Sequence, residues 1–282
     1  MNSEDENEIQ VAPTSPPAVT NLEDLDISME VMPSEIEIEL ETELESESDV
    51  VFEPFLPRYA NDDLYCRVSI PLNNHILMKL IRNKDDNPPT YDLFLERADQ
   101  LYLLHAKKKL GSQYYEIYSD EKADKYLGKV YSNFFGTEFT ICDDKNLDIA
   151  VVLYKQNILG FKGPRCMTII LPALLKDGKR YRDSKRLMEH FKVDSKKIVV
   201  LQNKTPLWNA ETNSYVLNFN GRVTVASVKN FQVTPKEDLD YILLQFGRIE
   251  TNQFTLDCKY PISILQAFGI ALTSFESKLA CE

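Results

Sequence analysis

Lysines are the residues of this chain whose placement could do chemistry. Lys107, Lys108 and Lys109 stand in a row after the apolar run LYLLHA, and Lys122, Lys125 and Lys129 follow at short intervals. Such a cluster attracts phosphate, and beside an anionic membrane each charge contributes about 1 kcal/mol. The same lysines would also suit a solvated loop. On an extended strand alternate side chains share a face, so Lys129 and Tyr131 point the same way. Other constellations carry less. Lys162 and Arg165 sit among glycines in GFKGPR, but the spacing is not that of a nucleotide-phosphate loop, and a tight turn between strands is expected. His75, His105 and His190 are far apart, without the spacing of metal ligands, so no metal is expected. No nucleophile motif of the G-x-S-x-G kind occurs. Trp208 reads as a packing residue, and Cys281 has one residue after it, too few for a prenylation box.

From about residue 64 the chain that must hold these side chains reads as strand after strand. YCRVSIP, HILMKLI, YDLFLE, LYLLHAK, QYYEIYS, YLGKVYS, EFTIC, IAVVLY, CMTIILP, KIVVLQN, YVLNF, KNFQV, YILLQFG and QFTLDC are short and rich in β-branched and aromatic residues. Asn, Asp, Gly or Pro separates them. Consecutive strands without long helices between them predict an antiparallel sheet, closed into a barrel or split into a sandwich. Asp183–Phe191 is the exception, a short surface helix with Asp183 or Ser184 as its cap. At the end, YPISILQAFGIALTSFESKLACE is apolar in nearly every direction around a helix, with Pro261 suited to its first turn. Some fifteen residues reach only about 22 Å, short of a bilayer core of roughly 30 Å. A helix of this kind belongs inside protein, and a closed sheet of about a dozen strands has an interior wide enough to take it.

The charge is unevenly divided. Residues 1–57 hold 17 of the 44 acids and no Lys or Arg, so the formal charge of −12 comes from this segment, and 58–282 is mildly basic. Acidic, proline-containing and free of Tyr and Trp, the segment is expected to be a disordered tail before a single domain over 58–282. Its stretch EIEIELETELESE suits a solvated spacer or an acidic-hydrophobic segment that folds on a partner. Five scattered cysteines without C-x-x-C fit reduced, intracellular thiols. The sequence MNSEDENEIQ carries no secretory signal.

Several blocks carry a family resemblance: NILGFKGPR at 157–165, LQNKTPLWNAETNSYVLNFNGRVTVASVKNFQV at 201–233, DYILLQFGR at 240–248, and FTLDCKYPISILQAFGIALTSFESKLACE at 254–282. They are very similar to the Tubby family, and a weaker likeness runs back to about Leu64. The tail does not resemble the family's better-known N-terminal regions. The resemblance implies a twelve-stranded antiparallel barrel around a central C-terminal helix, no enzymatic activity and no cofactor. It also implies binding of phosphatidylinositol bisphosphate head groups by a membrane-attached adaptor, with receptor traffic into cilia in several members.

The family's head-group site centres on a Lys-x-Arg pair in a motif like Tyr-Ile-Gly-Lys-Leu-Arg-Ser-Asn. Here the stretch is Tyr126-Leu127-Gly128-Lys129-Val130-Tyr131-Ser132-Asn133, so the lysine is kept and Tyr131 stands where the arginine would be. A further basic position of the family aligns with Asn146 and a polar contact with Tyr114. Tyrosine offers one neutral hydroxyl where arginine offers a planar fork, so a weakened site is expected, with Lys107, Lys108 and Lys109 as compensating charges.

The leading expectation is a monomeric, cytoplasmic adaptor peripheral to the plasma membrane, linking phosphatidylinositol 4,5-bisphosphate to protein cargo, with the cilium as one destination. Two alternatives stand beside it. One is a nuclear, transcription-linked interaction protein using the acidic tail, although so thin a positive charge argues poorly for nucleic acid. The other is a scaffold whose lipid site has lapsed.

Overall fold

The computed structural model describes residues 66–276 apart from 72, 113, 156–165, 176–178 and 211–213. The expectations for the 1–57 tail, for the GFKGPR turn with Lys162 and Arg165, for the Trp208 side chain and for Cys281 lie outside the described residues.

Alternation of side chains builds the wall. In β1 (His75–Asn83) Ile76, Met78 and Leu80 are buried while the residues between them face outward. The same alternation runs through β2 (Thr90–Leu95), so each strand offers one apolar face to a common interior. The chain continues through β3 (Tyr102–Lys108), β4 (Tyr114–Tyr118), β5 (Tyr126–Ser132), β6 (Glu138–Asp143), β7 (Asp148–Tyr154) and β8 (Met167–Pro172). After the short helix α1 (Leu187–Lys192) come β9 (Ile198–Asn203), β10 (Leu207–Asn209), β11 (Ser214–Val216), β12 (Phe231–Pro235), β13 (Leu244–Arg248) and β14 (Gln253–Lys259). Twelve strands close an antiparallel barrel, with neighbours pairing in sequence order apart from the step from β9 to β12. β1 and β14 seal it, Met78 opposite Leu256. β10 and β11 form a separate hairpin.

The final helix, α2 (Ile264–Thr273), is buried at all ten positions, as an all-round apolar helix must be. It is shorter than the sequence suggests and starts later. Pro261 precedes it instead of opening it, because Ser263 is the cap. The Ser263 hydroxyl accepts from the Gln266 amide at 3.3 Å, and the Gln266 side chain accepts from the Ser263 amide at 2.9 Å. Gln266 also donates to the Ile149 carbonyl at 2.7 Å, and Thr273 meets the Tyr154 hydroxyl at 2.8 Å, so the polar residues of the helix bond to itself and to the wall. At its far end Lys229 donates to the Ser274 carbonyl, a cation where the helix dipole favours one.

Two other expectations change. Residues 66–71, expected as a strand, form none among the described residues: Ser69 makes an isolated bridge to Ser263, and the Ile70 amide donates to the Ile262 carbonyl. The helix expected from Asp183 begins at Leu187, because the Asp183 carboxylate is turned to the Lys185 amide, Tyr181 and His190. The cap comes from the barrel, where Asp148 accepts from the Leu187 amide at 3.1 Å. α1 then packs Leu187 on Val151 and Ile170 outside the wall.

Candidate functional site

Strands β3 to β7 lie side by side, and their registers align one row of side chains across the outer wall. Lys107 is opposite Glu116, Glu116 opposite Lys129, Lys129 opposite Cys142, and Cys142 opposite Asp148. Their strand neighbours Ala106, Ile117, Val130 and Ile141 turn inward and are buried. A second row sets Tyr114 opposite Tyr131 and Tyr131 opposite Thr140.

Three lysines of this face lie over tyrosine rings: Lys107 over Tyr118 at 4.8 Å, Lys109 over Tyr114 at 5.5 Å, and Lys129 over Tyr131 at 5.7 Å. The negative ring face attracts the ammonium without needing an N–H donor, although Lys109 also hydrogen-bonds to Tyr114. Glu116 sits among them. It accepts from the Tyr118 hydroxyl at 2.9 Å and lies 3.6 Å from the Lys109 ammonium. The face can hold an anion, but a carboxylate already competes for its cations.

Tyr131 is half-buried, and burial is the main cause that raises its hydroxyl pKa; Thr140 and Cys142 are the groups it meets. Burial, and then the charge of Asp148, push the Cys142 thiol up to about 11, so near neutral pH it adds neither charge nor a nucleophile. Asn146 is exposed in the turn between β6 and β7, at a φ of 59° that asparagine tolerates. Its carbonyl accepts from the Arg186 guanidinium at 3.2 Å.

Arg186 is the residue that sequence reasoning missed. It sits at the cap position of α1, donates to Asp148 at 2.6 Å and approaches the Cys142 sulfur at 3.9 Å. The same loop sends Arg182 to Asp143 at 2.6 Å. The fold thus carries a guanidinium to Asp148 and Asn146, at the end of the row that holds Lys129, from about 40 residues away. The sequence signal was only a basic pair, Lys185-Arg186, ahead of a helix.

Not all the expected lysines converge. Lys108 points away from the row. It lies over the buried Tyr115 ring and pairs at 2.7 Å with Glu276, just past the end of α2. Lys122 and Lys125 belong to the loop between β4 and β5, at the opposite end of the strands from the turn that carries Lys109. Asp120, Glu121 and Asp124 share that loop.

Other titratable groups elsewhere are occupied as struts. Asp92 accepts from Tyr102 and Asn83 and pairs with His105 at 2.8 Å. Arg222 grips the buried Asp257 through two nitrogens, at 2.9 and 2.7 Å, and reaches Glu96 as well. Among the described residues, no group of three or more His, Cys, Asp or Glu could hold a metal ion. Among the same residues, no helix is long and apolar enough to cross a membrane.

Comparison with known proteins agrees with this architecture. The model of the Tub family matches residues 67–277. Proteins named king tubby from Drosophila pseudoobscura pseudoobscura and Drosophila persimilis are 46% identical over 218 residues, covering 69% of this chain and 48% of theirs. The king tubby protein of Drosophila melanogaster is likewise 46% identical over 218 residues, 47% of its length. The chain spans about half the length of these curated relatives. With a family match over most of the chain and a closed twelve-stranded barrel around its last described helix, this chain belongs to the Tub family.

Proposed function

We propose that this protein is a non-enzymatic adaptor that docks its barrel on membranes containing phosphatidylinositol 4,5-bisphosphate. The observation that carries the reading is the set of Lys107, Lys109 and Lys129, each held over a tyrosine on one outer face of a Tub-family barrel. Lys129 is the head-group contact at its centre. Tyr131 and Tyr114 supply hydroxyls, and Arg186, anchored beside Asn146, is a cation at its flank. With Glu116 inside the row and a tyrosine at position 131, binding is weak and poorly selective among head groups. We place this barrel domain over 58–282 and assign the acidic segment 1–57 to a tail that recruits a protein partner, with receptor cargo bound for the cilium as the family precedent. The site of action is then the cytoplasmic face of the plasma membrane.

The test is sedimentation of the full chain with phosphatidylcholine vesicles, with and without phosphatidylinositol 4,5-bisphosphate. Lys129→Ala should weaken the lipid-dependent binding by about fivefold, the worth of one cation at an anionic surface. Equal binding by the variant would remove Lys129 from the site. A second reading, a scaffold whose lipid site has lapsed, is favoured by the position of Glu116; it wins if the wild-type chain ignores the phosphoinositide altogether.

A further inference from the structure

Two hairpin tips at one end of the barrel expose apolar side chains that the fold does not use. The tip between β3 and β4 carries Leu110, 79% exposed, and the tip between β5 and β6 carries Phe134 and Phe135, 80% and 63% exposed. Because Tyr114, the first residue of β4, pairs with Tyr131, the last but one of β5, both tips project from the same end of the sheet. They are two strand spacings apart, roughly 10 Å.

Single exposed apolar residues need no explanation. Here two adjacent phenylalanines crown one turn and a leucine the neighbouring turn, and neither turn is loose. Asn133 accepts from the Thr137 and Glu138 amides at 3.0 and 3.3 Å and donates to the Thr137 hydroxyl at 2.9 Å. The other turn is tied by the Ser112 amide and hydroxyl, which donate to the Lys109 carbonyl at 3.1 and 2.7 Å. Rings held out on a rigid turn lose little entropy on being covered.

We propose that the tips bearing Leu110, Phe134 and Phe135 insert into the interfacial zone of an anionic bilayer while Lys107, Lys109 and Lys129 hold its phosphate groups. The charge beside the tips selects this occupant over a protein groove: Lys109 adjoins Leu110, and Lys129 lies on the strand that leads to Phe134. Lys129 is four residues from Asn133, about 13 Å along the strand. Aromatic and apolar residues at an interface sink about 5–10 Å into the head-group boundary. Lys129 is then left among the head groups, at the level of outward-projecting inositol phosphates. The loop between β1 and β2, at the same end, exposes Asp85 and Asp86. An anionic surface repels these two carboxylates more than it attracts the exposed Lys84 beside them, so contact favours the side of β3 to β6.

The inference rests on the lipid-binding reading above, and the experiment separates the two. The full chain carrying Phe134→Trp is mixed with vesicles of phosphatidylcholine and phosphatidylinositol 4,5-bisphosphate, with or without brominated acyl chains. The wild type, which has Trp208 alone, gives the baseline. Insertion is expected to quench the added tryptophan. The double variant Phe134→Ser with Phe135→Ser, whose rings pack on each other at 5.4 Å and lie outside the barrel core, should bind vesicles roughly tenfold more weakly or worse and melt like the wild type. Vesicle binding without quenching and without loss in the double variant overturns insertion and leaves head-group docking intact. If the wild type binds no vesicles, both readings fall together. If the double variant loses self-association instead, with no quenching, the tips are a contact between copies and the membrane pose is wrong.

Discussion

At the scale of single residues, the face turns on Tyr131. Its ring supports the Lys129 ammonium, while its hydroxyl meets Thr140 and Cys142. The position therefore contributes a platform for one cation in place of a second cation. Arginine there would bring a planar fork beside Lys129. Tyr131→Arg should raise affinity for phosphatidylinositol 4,5-bisphosphate vesicles about fivefold, the worth of one added cation. Vesicle titration reads this directly. Unchanged affinity in that variant would mean that the outer row is no head-group site at all, since a cation set into such a site must count. Glu116 and Asp148 hold the local charge down by geometry: Glu116 is the cross-strand partner of Lys129, and Asp148 closes the same row opposite Cys142.

At the scale of elements, the loop before α1 decides whether Arg186 reaches the wall. Asp183 organises it. Its carboxylate takes the His190 ring at 3.1 Å, the Tyr181 hydroxyl at 3.0 Å and the Lys185 amide at 2.8 Å. These bonds, the His190 one first, hold its pKa at about 2 against the ordinary 3.8. Below 3.8 the unfolded chain takes up a proton that the folded carboxylate still refuses. The stabilisation is therefore complete above that pH and fades as pH falls toward 2. Asp183→Asn should lower the urea midpoint at pH near 5, and the gap from wild type should close by pH about 2. A gap that stays constant across that range would remove Asp183 as the anchor. β5 shows a second element-level constraint. A Cβ at Gly128 would stand 2.1 Å from the Cys142 carbonyl oxygen, so a side chain there would push β5 from β6 and open the row that Lys129 belongs to.

At the scale of the whole molecule, the barrel and the helix within it are one packing problem. α2 fills the interior closely enough that a Cβ on Gly269 would lie 2.8 Å from a methyl of Ile141, on the inner face of β6. Gly269→Val should cost about 1–3 kcal/mol through overpacking, seen as a lower urea midpoint with an unchanged slope. An unshifted midpoint would mean that the helix has room to move in the barrel. Because the interior is filled, the outer wall and the hairpin tips are the surfaces left for binding. Because β3 to β7 are consecutive and antiparallel, residues from 107 to 148 come to one face without any long crossover.

Much of this was legible in the sequence. The period-two strands and the apolar closing segment already pointed to an antiparallel sheet, as barrel or sandwich, with a buried helix, since a helix apolar on all sides must be covered. The pairing of Lys129 with position 131 on one face was legible too, for alternation on a strand is a local rule. What the tertiary structure decided is everything that depends on register and closure. It paired Lys108 with Glu276 beyond the end of α2, set Glu116 among the lysines, and delivered Arg186 to Asp148. It also gathered Leu110 with Phe134 and Phe135 at one end. Local chain geometry fixes which way a side chain points; only the pairing of distant strands fixes what it points beside.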